Sequence, residues 1–142
     1  MENYKRKIHY HETDKMGITH HSNYIKYMEE SRVNFLDKIG YNYRKLEDDG
    51  IISPVVGINC NYKQPTTFDD EIEIEVGIQE FKGVKLIIYY TMRNTKTGAI
   101  VFTGTSTHCF VDNNGKPIIL KKQFPEFDEK LKSFINPNDF EN

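Results

Sequence analysis

The chain has 142 residues, of which 37% are hydrophobic, 13% aromatic and 28% charged. That length suits one domain with a real core and leaves no room for two ordinary ones. Nineteen Lys and Arg against 21 Asp and Glu give a net charge of −2, so bulk basicity does not direct the chain to nucleic acid. Nine Tyr and nine Phe argue against disorder.

In chain order, Lys5 to His11 is β-compatible, with Ile8 and Tyr10 on one face. A polar turn follows over Glu12 to Gly17. From Ser22 to Ile39 the period becomes helical: Ile25, Met28, Phe35, Leu36 and Ile39 recur on one side, with Ser22 as N-cap and Gly40 as the residue past the end. Glu29 and Glu30 are expected on a solvated helix face, paired with Lys26 and Arg32. After a polar connector from Tyr41 to Gly50, strands are predicted over Ile51 to Tyr62, Glu71 to Ile78, Val84 to Arg93 and Ala99 to Val111. Turn signals lie at Lys82-Gly83, at Asn94 to Gly98 and at Asn114-Gly115. The tail, about 121–142, carries a short helix over Glu126 to Phe134. The pattern is α+β: an antiparallel sheet whose apolar face covers one dominant helix, in a single domain over 1–142. Sheet edges of this kind are expected to pair with a second subunit.

The N-terminus has charge but no apolar run behind it, and the longest apolar stretch, Leu86 to Tyr90, is too short to cross a membrane. The expected location is cytoplasmic. Cys60 and Cys109 show no metal-ligand spacing and read as buried thiols in a reducing compartment.

Four of the five histidines, His9, His11, His20 and His21, crowd with Tyr10, Glu12 and Asp14 between the first strand and the helix. A helix N-terminus presents outward N–H groups, so those near His21 to Tyr24 can polarise a carbonyl oxygen. Gly17 lets the loop fold back over that end, where Asp14 can serve as nucleophile or as general base for water. His9 and His11 form an HxH that could hold a metal with Asp14, although two half-exposed strand histidines need no such role. His108 has no evident partner and reads as structural.

The run Tyr10-His11-Glu12-Thr13-Asp14-Lys15-Met16-Gly17-Ile18-Thr19-His20-His21-Ser22-Asn23-Tyr24 resembles the signature of the 4-hydroxybenzoyl-CoA thioesterase branch of the hotdog superfamily. That branch includes acyl-CoA thioesterases encoded beside the Tol-Pal envelope genes. Glu30-Ser31-Arg32, Tyr62-Lys63-Gln64-Pro65 and Phe68-Asp69-Asp70-Glu71-Ile72 extend the likeness over about the first 120 residues. The resemblance implies a hotdog fold and hydrolysis of a small to medium acyl-CoA without a cofactor. It implies Asp14 as the catalytic carboxylate, His21 as the residue whose backbone N–H polarises the carbonyl, Tyr10 as a site-lining tyrosine and Lys82 as a contact to the CoA phosphates. It also implies a homodimer or homotetramer with sites at the subunit interface. His20 stands where relatives carry an aromatic residue and alters the acyl end of the pocket. An acyl-carrier-protein thioesterase and a non-catalytic acyl-thioester binding module are the alternatives.

Overall fold

The computed structural model describes residues 1–136. Its elements are β1 (Tyr4–Lys7), a 3-10 turn (Tyr10–Glu12), α1 (Asn23–Lys38), α2 (Tyr43–Asp48), β2 (Val55–Tyr62), β3 (Glu71–Phe81), β4 (Leu86–Asn94), β5 (Ile100–His108), α3 (Leu120–Gln123) and α4 (Pro125–Ser133). The five strands form one antiparallel sheet in the order β1-β3-β4-β5-β2, with α1 packed against it. This is the hotdog architecture that the resemblance implies.

The alternation in β3 puts Ile72 and Ile74 in the core and leaves Glu71, Glu73 and Glu75 half-buried. Beyond the predicted end at Ile78 the strand continues through a bulge to Phe81. Tyr90, Met92 and Phe102 extend the same core, which the aromatic and aliphatic side chains of α1 complete. Each such buried side chain contributes roughly 1.5–3 kcal/mol relative to exposure. The buried stripe of α1 is Tyr24, Tyr27, Met28, Ser31, Arg32, Phe35 and Leu36. Ile25, expected in that stripe, is 45% exposed, because the register set by Tyr24 turns it outward.

Local chemistry corrects several other expectations. The first strand stops at Lys7, because the Glu12 carboxylate accepts the His9 N–H and draws the chain into the 3-10 turn. Tyr10 therefore leaves the sheet and is 77% exposed. Within the predicted connector, Asn42 caps α2 by accepting the Lys45 N–H at 2.8 Å. β2 starts at Val55, just after Pro54, although Ile52 already bridges to Val111. Gly40 ends α1 at φ +93°, as expected of a residue past a helix end. Phe127 and Leu131 of α4 are buried in the same core, and Phe134 stacks edge-on against Phe35. Cys60 and Cys109 are free thiols and only half-buried. No helix among the described residues is long and apolar enough to cross a membrane.

Candidate active site

The site is built on the hairpin between the 3-10 turn and α1. Thr13 bridges to Thr19, the Asp14 N–H donates to the Ile18 carbonyl at 2.8 Å, and Gly17 closes the tip at φ +79°. The hairpin is fastened from outside by Thr66, which is fully buried: its carbonyl accepts the Thr19 N–H at 2.8 Å, and its hydroxyl meets Thr19 Oγ1 at 2.6 Å and the Tyr24 hydroxyl at 2.9 Å. Asp14 is half-buried near the tip. Its Oδ1 accepts the Met16 N–H at 2.8 Å, and its other carboxylate oxygen meets no protein donor among the described residues.

The start of α1 differs from the expectation. Ser22 already has helical dihedrals and makes no side-chain cap; its hydroxyl lies 2.8 Å from His20 Nδ1, and its N–H donates weakly to the same nitrogen. The Asn23 and Tyr24 N–H groups donate to the His20 and His21 carbonyls. Of the backbone donors from His21 to Tyr24, the His21 N–H is therefore the one without a partner among the described residues. With Nδ1 acting as acceptor, a neutral His20 ring carries its proton on Nε2.

Beside this donor lies a cleft of about 230 Å³, lined by Ile18, Thr19, His21, Tyr24, Tyr62, Lys63, Gln64 and Pro65. Its wall is aromatic: Tyr24 stacks on Phe102 at 5.2 Å, and Tyr62 meets Tyr24, Phe102 and His21 edge-on. Burial pushes the Tyr24 phenol up, so it stays protonated at neutral pH. The same holds for Tyr62, where burial and the neighbouring Cys60 act together. Asp14 is not in this wall, but its hairpin is, through Ile18 and Thr19. A larger cavity, about 570 Å³, lies at α2 against Leu46, Ile51 and Ile52 and holds none of the motif residues.

The structure thus brings the Asp14 hairpin and His21 together at the start of α1. Tyr10 does not line the cleft; its ring packs edge-on against Phe68 at 5.7 Å. Lys82 sits in the turn after β3, paired with Glu80 at 3.5 Å. Eleven residues of β3 span on the order of 35 Å, which separates Lys82 from the Asp14 hairpin of its own protomer. His9 and His11 share the 3-10 turn rather than a strand face, with ring centroids 5.5 Å apart at right angles. No group of three His, Cys, Asp or Glu side chains able to hold a metal occurs among the described residues.

Two polar networks escaped the sequence reading. Glu12, only 3% exposed, pairs with Arg6 and accepts the Tyr27 hydroxyl at 2.9 Å. Burial alone would raise its carboxyl, but the bonds from Arg6, His9 and Tyr27 overcome that and hold it below the ordinary value. Glu30 is not simply solvated: it accepts from Arg6 Nε and the Tyr4 hydroxyl, both at 3.0 Å. The second network begins at Arg32, which is buried and far from Glu29 in role. It donates to the hydroxyls of Tyr43 and Tyr90; Tyr90 bonds Ser106 at 2.7 Å, and Ser106 bonds His108 Nε2 at 2.8 Å. His108 thus has a partner, and burial together with the Arg32 charge lowers its pKa to about 4.

Residues 8–135 match the family described as the thioesterase-like superfamily. The chain is 35% identical over 122 residues to YneP of Bacillus subtilis, itself assigned only provisionally as an acyl-CoA thioesterase, covering 85% of this chain and 88% of that protein. It is 26% identical over 128 residues to the acyl-CoA thioesterase YbgC of Helicobacter pylori, covering 84% of this chain and 94% of that one. Among solved structures, a DHNA-CoA thioesterase from Staphylococcus aureus superposes with a TM-score of 0.87 at 29% identity, covering 93% of this chain and 89% of the other.

Proposed function

The chain belongs to the thioesterase-like superfamily and is a hydrolase, and we propose that it cleaves acyl-CoA thioesters with Asp14 as the reacting carboxylate, in the manner of the 4-hydroxybenzoyl-CoA thioesterase branch. One observation carries this reading: on a hairpin clamped to the start of α1 stands a carboxylate with one oxygen that meets no donor among the described residues, and the His21 N–H at that helix start has no acceptor among them either.

The thioester carbonyl oxygen would accept the His21 N–H, reinforced by the partial positive charge of a helix N-terminus. Asp14 then acts by one of two routes. As a base it takes a proton from water while the water oxygen bonds to the carbonyl carbon. As a nucleophile its own oxygen forms that bond, and water later hydrolyses the mixed anhydride. In both, the tetrahedral oxyanion collapses, the C–S bond breaks and CoA leaves as a thiolate. An ordinary thiol pKa of about 8.5 makes this leaving group good without a strong acid. The aromatic cleft of Tyr24, Tyr62 and His21 suits a planar or short acyl group, in keeping with the aromatic acyl-CoA named for the Staphylococcus aureus relative.

A homodimer is part of this proposal. β2 is a sheet edge with Val55, Val56, Ile58 and Tyr62 exposed, the kind of edge that pairs with a second copy. Dimerisation would also offer a route for a partner's Lys82 to approach the CoA phosphates. With acyl-CoA as substrate, the cytoplasm is the proposed location.

The test is thiol release from short, medium, long and aromatic acyl-CoAs by the wild type and by Asp14→Asn, with and without chelator. Turnover that collapses in the variant and ignores chelator supports the reading. Silence of the wild type across the panel brings the carrier-protein and binding-module alternatives forward.

A further inference from the structure

We propose that Glu12 is a positioning residue for this site: its side chain and its backbone carbonyl together fix the placement of Asp14 relative to the free His21 N–H. The inference rests on the reading of Asp14 as the reacting carboxylate.

Glu12 is held from two directions. On the side-chain end, a single carboxylate oxygen receives donors from three separate elements: the Arg6 guanidinium from β1, the His9 N–H from the 3-10 turn at 2.8 Å, and the Tyr27 hydroxyl from α1 at 2.9 Å. On the backbone end, the Glu12 carbonyl accepts the His20 N–H at 2.8 Å and Asn23 Nδ2 at 3.0 Å, and Asn23 Nδ2 also lies 3.2 Å from the His20 carbonyl. Asn23 is the first residue of α1 and is 6% exposed. Both limbs of the hairpin are therefore pinned at one residue: Asp14 follows Glu12 by Thr13, and His21 follows the pinned His20 directly. A shift at Glu12 moves the carboxylate and the carbonyl-polarising donor relative to each other.

Fold stability alone does not demand this ion pair, although removing one partner and leaving the other buried is costly. A buried ion pair can often be replaced by well-packed apolar side chains at no loss, so its distinctive contribution is direction rather than net energy. Three donors converging on one oxygen define a single location, which an apolar contact does not. Chemistry of this kind is sensitive to such placement, since a misplacement of about 1 Å can lower the rate about a hundredfold.

The test measures kcat, KM and the unfolding midpoint for Glu12→Gln, Tyr27→Phe, Asn23→Ala and Asp14→Asn, with turnover assayed well below each midpoint. Tyr27→Phe removes one of the three donors without changing the ring, and Asn23→Ala removes the side-chain clamp on the Glu12 carbonyl. These two keep the question answerable if Glu12→Gln does not fold. The expected result is a kcat lowered about 10- to 100-fold in Glu12→Gln with KM within about threefold, and smaller kcat losses in the other two. A merely stabilising role would lower the midpoint and leave kcat of the folded enzyme intact. Glu12→Gln and Tyr27→Phe with kcat within about twofold of wild type, beside an inactive Asp14→Asn, overturn the positioning role and leave the reaction scheme standing. An active Asp14→Asn overturns the scheme itself and the positioning role with it.

Discussion

Two carboxylates separated by one residue occupy opposite environments. Glu12, at the base of the hairpin, is sealed in with three donors on one oxygen. Asp14, at its tip, spends one oxygen on the turn and leaves the other open. The contrast separates two uses of the same functional group. A carboxylate whose lone pairs are taken up by fixed donors holds structure, and one with an oxygen left without a donor among the described residues can still meet another group. The Ser106–His108 pair follows the first pattern. Its geometry, 2.8 Å between hydroxyl and imidazole, would suit a nucleophile and base, yet both residues are fully buried and the pair serves the core.

Ways to break this contrast differ in size. Glu12→Leu leaves the His9 N–H and the Tyr27 hydroxyl without their acceptor and strips Arg6 of one of its two carboxylates. Denaturant unfolding should show a loss of about 3 to 4 kcal/mol. His108→Gln sharpens the buried side of the comparison through pH. The native imidazole titrates near 4 against an ordinary value of 6.5, so between those values the unfolded state binds more protons. Stability must therefore rise with pH across that window, by on the order of 2 to 3 kcal/mol, and the variant should flatten the rise. Glu12 adds a slope of the same sign lower down: its depressed carboxyl contributes stability that is present above the ordinary Glu range and lost as pH falls through its own value.

Away from Asp14 itself, the open side gives smaller effects. If the His21 backbone N–H carries the role, His21→Ala keeps it and should cost less than about fivefold in kcat, whereas a larger loss would assign the imidazole to the reaction. Lys82→Ala should leave kcat unchanged and raise KM by no more than about two- to threefold, a change that salt would mask. Any larger effect on KM would show that a partner's Lys82 reaches the substrate.

Much of this was legible in the sequence. The helical period of α1, the stop at Gly40 and the Ile/Glu alternation of β3 are local signals, and local signals settle element type. Asp14 and His21 were named from the motif run, and the fold sets Asp14 on a hairpin whose second limb leads into His21 at the start of α1. Glu12 was not, because what makes it special lies in partners remote in sequence, Arg6 and Tyr27, that only the fold assembles. Tyr10 was misread for a related reason: alternation suggested a strand face, but the His9 N–H found a side-chain acceptor and left the ladder. Ser22 had the right chemistry for a cap, yet its hydroxyl was claimed by the ring of His20. Arg32 looked like one half of a surface ion pair and is instead buried against two tyrosine hydroxyls. In each case a competing donor or acceptor won, and a composition rule cannot foresee which one.

The most direct measurement compares thiol release and unfolding midpoint for Asp14→Asn against the wild type on the best acyl-CoA of the panel. An open carboxylate that does the chemistry predicts a kcat lower by about a thousandfold or more, roughly 4 kcal/mol of barrier, at an unchanged midpoint. A variant that turns over like its parent, or that loses activity only because it unfolds, would contradict it.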